Sequence, residues 1–451
     1  MSKTATNSKI SCNFVTNLTY ITKMTLKKAL LLIFLFCGLC PSQAKRHSGH
    51  KITIAASNSL KADKKAADIV CSGTNDHLTI QHALDELGAF GEVYLMPGIY
   101  SIDSFQKAED GSSDYAIGIH QTEGTRTKLH LRGFDAGKMD PVLYKSADST
   151  LCAPYDGVVL ALSQKCYDEL ASDKEYAIVK SLDKWVTQLE VKGVSIVLPG
   201  NQKNIVGYDG SCFEVLRLAD CDLRAGFTND YRRDYVPELG VEGCIGVRGV
   251  QGSNDCFEFS MDHVNCTNFG VGFAVGGEHF WGANLGAVFC RTGYTFNSYP
   301  LERGVWVHPI TLINCADEAS ANYPHFGPNP GRQTVDIINF NMEHYPNFFA
   351  EGGNLATEEE PGSWLGNIDY NIMSFEDDGY WLQNTPKKAF WAPGCGRNVR
   401  SINDAHKQAC STEERMSYAP NFLQTIFDTT ENALFTCTDP DARVWQRVKT
   451  Q

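Results

Sequence analysis

The sequence predicts an all-β chain built as a solenoid of stacked parallel strands, with one helix covering the first coil. Three observations predict it: a loose repeat, β-rich segments that lack an answering strand, and a helix placed just before the first regular strand. The repeat runs through "HVNCTNFG", "AVFCRTGY", "LINCADEA" and "NFNMEHYP". Cys266, Cys290, Cys315 and Met342 each stand two residues after an apolar residue, separated by 24, 25 and 27 positions. Gly/Asn-rich turns follow each segment, which suits coils that pair with their equivalents in the next coil about 4.8 Å away.

The helix lies within "DIVCSGTNDHLTIQHALDELGAFGEVYLMPGIYSI", Asp68 to Ile102. Ile80, Ala83, Leu84 and Leu87 share one helical face, and Asp76 is the expected N-cap. An exposed first coil needs its apolar interior covered, and this face can cover it. "EVYLMPGIYSI" then alternates and breaks at Pro97-Gly98, as a strand turning its first corner would. "LHLRGF" and "VTQLEVKGVSIVLPG" read as further coil segments. "SADSTLCAPYDG" and "TNDYRRDYVPELGVEG" read as insertions that build a binding wall.

From Met24, "MTLKKALLLIFLFCGLCPSQA" has the basic, apolar and small-residue regions of a secretory signal peptide. The expected organisation is an upstream extension plus signal peptide over residues 1–44, a β-solenoid domain over 45–385 with its N-terminal cap near 68–102, and a C-terminal cap or tail over 386–451. The mature chain would begin at about Lys45, be secreted or periplasmic, and carry no transmembrane span. Removing Cys12, Cys37 and Cys40 from 16 cysteines leaves 13, an odd number, so some are thiols. Cys266, Cys290, Cys315 and Met342 are expected as one inner row. One disulfide is expected among Cys395, Cys410 and Cys437. No pair of C-x-x-C motifs occurs, so a zinc centre is not expected. A net charge of −13 argues against a nucleic-acid partner.

The stretch "ADIVCSGTNDHLTIQHALDEL…GEVYLMPGIYSI" resembles the N-terminal signature of the right-handed parallel β-helix, or pectin-lyase-like, superfamily. The resemblance covers about 35 residues and implies carbohydrate handling, with a polysaccharide or oligosaccharide as partner, without choosing a reaction. The paired-Asp and Gly-His-Gly motifs expected of polygalacturonases do not occur here.

Outward positions follow from alternation. With Val264 and Cys266 inward, His263, Asn265 and Thr267 face out, and in register come Phe289 and Arg291, then Asn314, then Asn341 and Glu343. Glycosidases work with two carboxylates, so Glu343 and Asp317 are the candidate catalytic pair. Glu318, Glu278 and Asp377-Asp378 are rivals. Arg291, Asn265, Asn314, Asn341 and His344 are the candidate substrate contacts, and an asparagine ladder that satisfies turn backbones is the competing reading of the strip. A uronate lyase needs a base and cations, often with calcium, yet no lysine lies between Ile205 and Pro386. Hydrolysis or intramolecular transfer without a cofactor is therefore favoured over elimination. A lyase and a non-catalytic glycan-binding protein stay open.

Overall fold

A computed structural model of the chain describes residues 50–109, 111–134, 157–226, 243–251, 254–297, 309–318, 320, 324–327, 334–344, 368–375, 381–383, 399–401, 409–417, 425–439 and 442–448. Both expected insertions lie largely outside these residues, as do the signal peptide, Asp377, Asp378 and Cys395. The described residues are predominantly β, in long parallel sheets.

One large sheet holds 18 strands and a second holds seven. Strand Val215–Ala225 pairs in parallel with Glu258–Thr267, which pairs with His279–Ala283 and Gly286–Val288. These pair with Pro309–Ile313 and Ala316–Glu318, and those with Thr334–His344. Between passes through the large sheet the chain adds one strand to the smaller sheet, in the order Asp114–Ile119, Tyr176–Ser181, Ile205–Asp209, Ile245–Arg248, Val271–Val275, Thr292–Phe296 and His325–Phe326. Such ordered stacking is compatible with a solenoid.

Six successive passes through the large sheet each bend at one position. Gly193, Asp220, His263, Asn284, Asn314 and Asn339 all have φ between 51° and 66°, and the pairing register puts them in line. This left-handed conformation suits Gly, Asn, Asp and His, whose side chains are short or can bond locally. Asn339 Nδ2 donates to Asn314 Oδ1 at 2.9 Å, and Asn284 Nδ2 donates to Asp262 Oδ1 at 2.9 Å. Asn314 thus lies in a ladder along the corner that is bonded side chain to side chain, not to turn backbones.

Between the sheets lies a continuous apolar core. Phe273 stacks on Tyr294 at 5.0 Å, and Tyr294 meets Phe340 edge-on at the same distance. The Tyr294 hydroxyl reaches the carbonyl oxygens of Leu285 and Ala316, so its polar end is satisfied inside the core. Cys266, Cys290 and Cys315 are buried, as expected, but they do not form one row. Cys266 stands opposite Leu223 and Ala287, and Ala287, Asp317 and Met342 follow in line. The three cysteines fall at different distances from the corner, so similar spacing in sequence did not mean equal register. Ten cysteines are free thiols among the described residues, Cys437 included, which removes it from the expected disulfide.

The helix Asp76–Leu87 buries Ile80, Ala83, Leu84 and Leu87 against the first strands. Ile80, Leu84 and Leu87 each contribute roughly 1.5–3 kcal/mol when fully buried, Ala83 less. The residue at its N-cap is Asn75, one position before the expected Asp76. Asp76 is instead wholly buried, its carboxylate accepting from the backbone N–H groups of Gly73 and Ser101. Gln81 closes the edge strand of the smaller sheet, accepting from Gly118 N and donating to Gly118 O. That satisfies backbone groups that would otherwise be buried without partners.

Candidate functional site

Two residues beyond the corner, the large sheet presents one outward row: Asp222, Asn265, Gly286, Ala316 and Asn341, in register across successive passes. Their flanking neighbours Leu223, Cys266, Ala287 and Met342 are buried in the core, which fixes the outward direction by alternation. The Asn265 amide lies over Gly286, where a Cβ would come within 2.5 Å of Asn265 Oδ1. Ala316 leaves the next position low. Neighbouring strands lie about 4.8 Å apart, so three steps from Asn265 to Asn341 span about 14 Å. Asp222 stands at one end, half-buried, and burial pushes its carboxyl up to about 6 against the opposing charge of Arg224.

The row two residues further on carries Arg224, Thr267, Val288, Glu318 and Glu343. Glu318 is exposed and stands directly opposite Glu343. Arg224 and Thr267 are buried, so Thr267 is not the open surface residue that alternation suggested.

Asp317 departs most from expectation. It occupies the inward row between Ala287 and Met342 and is fully buried, so it faces the core and not the outward row. Adding two residues to the buried Cys315 gives 317, and alternation makes both inward. Its carboxylate lies over Gly293, where a Cβ would meet it at 2.4 Å. Ser320 Oγ donates to one oxygen, and the other is buried with no hydrogen-bond partner among the described residues. Burial first, then the nearby Glu318 charge, pushes the carboxyl up to about 7, with the Ser320 bond opposing.

The remaining sequence-derived residues separate. Asn265 and Asn341 share the outward row, Asn314 sits at the corner, and Arg291 is half-buried in the bend leading to Thr292–Phe296, its backbone N–H bonded to Phe269 O. The side chains of Glu343 and His344 lie outside the described residues. Glu278 is half-buried in a bend, its N–H bonded to Cys256 O. Before the corner, Trp281 is 42% exposed, in register with Ser260 and Thr311 on either side, and Phe257 meets His279 edge-on nearby.

A second polar cluster had no counterpart in the sequence reading. On the smaller sheet Lys180, Asp209 and Arg248 stand in line across three passes, all buried. Arg248 donates to both Asp209 oxygens, both Glu175 oxygens and Gln251 Oε1. Burial would raise the Asp209 carboxyl, but the Arg248 charge and the bonds from Arg248 and Ser211 outweigh it and hold it below its usual range. A guanidinium so saturated by its own chain has little left for a substrate carboxylate. The signal in the sequence was a charged residue ending each of the apolar runs "YAIVK", "IVGYD" and "IGVR".

Among the described residues no group of three or more His, Cys, Asp or Glu side chains is placed to hold a metal ion, and no helix is long and apolar enough to cross a membrane. No family model, no curated protein and no solved structure matches the chain.

Proposed function

We propose that the protein is a right-handed parallel β-helix of the pectin-lyase-like kind, its first coil capped by the helix Asp76–Leu87. We further propose that it is an exported carbohydrate-active enzyme that cleaves glycosidic bonds of a polysaccharide by hydrolysis or intramolecular transfer. The observation that carries this reading is the polar row Asp222, Asn265, Gly286, Ala316 and Asn341, low in its middle and bordered by Glu318 opposite Glu343. Asn side chains offer both donors and acceptors to sugar hydroxyls. Trp281, set between Ser260 and Thr311, supplies an aromatic plane with hydroxyls to each side.

In this reading Glu343 keeps its acid or base role, and Glu318 replaces Asp317 as its partner. Backbones about 4.8 Å apart can bring two carboxyl groups to the roughly 5–5.5 Å used for retention. One would protonate the leaving oxygen while the other attacks the anomeric carbon, and water would then release the glycosyl group. No cofactor is needed for this route. An eliminating lyase is less well supported, because Arg248 is saturated and lysine is absent from Ile205 to Pro386. Calcium would be looked for only if elimination were found.

The test is a panel of polysaccharides read by reducing-end release and by ultraviolet absorbance. Release without absorbance is expected, lost about 10²-fold or more in Glu318→Gln and in Glu343→Gln. Absorbing products would favour the lyase, and binding without release would favour a glycan-binding protein.

A further inference from the structure

We propose that Asp317 is a proton-operated latch beneath the outward face: protonated, it seats the strand Ala316–Glu318 in the large sheet, and ionised, it releases that strand. What the latch regulates rests on the glycan reading, because Ala316 lies in the outward row and Glu318 stands opposite Glu343. The release itself is a property of the fold. Three residues past the corner, Leu223, Cys266, Ala287, Asp317 and Met342 stand in line, all buried. Four of these side chains are apolar or weakly polar, and the fifth is a carboxyl. With it, Cys315 alone ties this pass to the core after its corner, where the next pass has Phe340 and Met342. Gly293 lies against the carboxylate and offers no side chain to pack on it. One oxygen accepts from Ser320 Oγ, and the other has no hydrogen-bond partner among the described residues. A carboxyl so placed is tolerated when neutral and is costly when charged.

No cation offsets that cost. On its own pass the ionisable neighbours are the Cys315 thiol and Glu318, whose charge opposes ionisation. The strand Gly286–Val288 on one side carries no ionisable group. On the other side Thr334–His344 sets Met342 beside Asp317; its Asp336 lies on the far side of the corner, and the side chains of Glu343 and His344 lie outside the described residues. From the smaller sheet Thr292–Phe296 presents Tyr294, with Cys290 just before it. Burial first, and then charges that include Asp317, pushes both of these groups up, so they too are neutral. Arg291, in the bend before that strand, is not among the charges that act on Asp317.

The strand held by this carboxyl is three residues long. Ala316 N donates to Leu285 O at 2.8 Å, Glu318 O accepts from Phe289 N at 2.9 Å, and the Tyr294 hydroxyl donates to Ala316 O at 3.0 Å. So short a segment can open without unfolding the stack. Once released, the carboxyl returns to its ordinary value of 3.8, against about 7 when seated. The seated strand therefore holds the proton more tightly. Its advantage is fully present below about pH 4 and is lost as pH rises through 7. The released fraction grows about 50-fold between pH 5 and pH 7 and about twofold more by pH 8.

Amide hydrogen exchange of the full-length protein at pH 5, 6, 7 and 8, divided by the intrinsic amide rate, reads the release directly. Exchange at Ala316, Asp317 and Glu318 should rise by these factors, while the strand Tyr176–Ser181 does not follow. Asp317→Asn, neutral at every pH, should abolish the rise. The latch is overturned by level exchange at Ala316–Glu318, by a rise that Asp317→Asn retains, or by one that Tyr176–Ser181 shares equally. Should Asp317→Asn not fold, the comparison of the two strands in the parent decides alone. On a polysaccharide that the protein cleaves, the decline of activity from pH 5 to pH 8 should be steeper in the parent than in Asp317→Asn, and equal declines would overturn the link to the face. Exchange as expected without cleavage of any polysaccharide leaves the latch standing and removes the enzyme reading. Cleavage with level exchange removes the latch alone.

Discussion

Replacing Asp317 by Asn should flatten the dependence of stability on pH. In the folded chain the carboxyl is raised to about 7 from an ordinary value of 3.8 by burial and the nearby Glu318. The native state thus holds this proton more tightly than the unfolded state. Its contribution is fully present below about pH 4 and is lost as pH rises through 7. At 1.36 kcal/mol per pH unit, that difference amounts to about 4 kcal/mol between pH 4 and pH 8. Asn keeps the shape and the Ser320 contact but cannot ionise. Urea melts of parent and variant at pH 5, 6, 7 and 8 would measure the effect, with the difference between the two curves cancelling other titrations such as that of Asp222. Relative to the parent, Asp317→Asn should gain about 2.5 kcal/mol across this range, nearly all of it between pH 5 and 7, and level off above 7. Parallel curves would refute the burial of an ionisable Asp317 and with it the register of the inner row.

Arg248→Ala should cost about 3–5 kcal/mol, because Asp209 would be left buried without its cation, and chemical denaturation would read it. Asn314→Gly should be nearly neutral while Asn314→Val costs about 1–2 kcal/mol, since only the latter resists φ near 53°; the two melting temperatures make the comparison. Cys290→Ala should cost roughly 1–2 kcal/mol and Cys290→Asp several more, because the side chain lies in the core near Asp317. Equal melting of all three Cys290 forms would contradict its placement.

Period and direction of the strands were legible because apolar alternation reports burial directly. Phase was less so. The cysteines served as markers, yet Cys315 stands one residue past its corner, Cys266 three past and Cys290 six past. All three are buried, so chemistry alone could not separate these positions. The backbone-determined markers were Asn284, Asn314 and Asn339, whose left-handed conformation recurs at one register whatever follows. Had they set the phase, Glu318 rather than Asp317 would have read as outward. The pairing of Lys180, Asp209 and Arg248 was hidden for another reason. It links residues up to 68 positions apart, and nothing local announces which passes will be neighbours.

The corner also divides the chain into parts that can change and parts that cannot. From the corner back to the start of its strand the count is constant: Glu258 to His263, His279 to Asn284, Pro309 to Asn314 and Thr334 to Asn339 are equal steps. From the corner to the outward row it is always two. The connections to and from the smaller sheet share no such constancy, running from three residues between Val275 and His279 to 19 between Ala225 and Ile245. Length variation thus falls in the connections and not in the paired strands. A substitution at 222, 265, 286, 316 or 341 alters one position of the face and leaves its neighbours in place. Such a surface can be rewritten one side chain at a time while its scaffold stays the same, so under the proposed function ligand preference and folding would be under separate control.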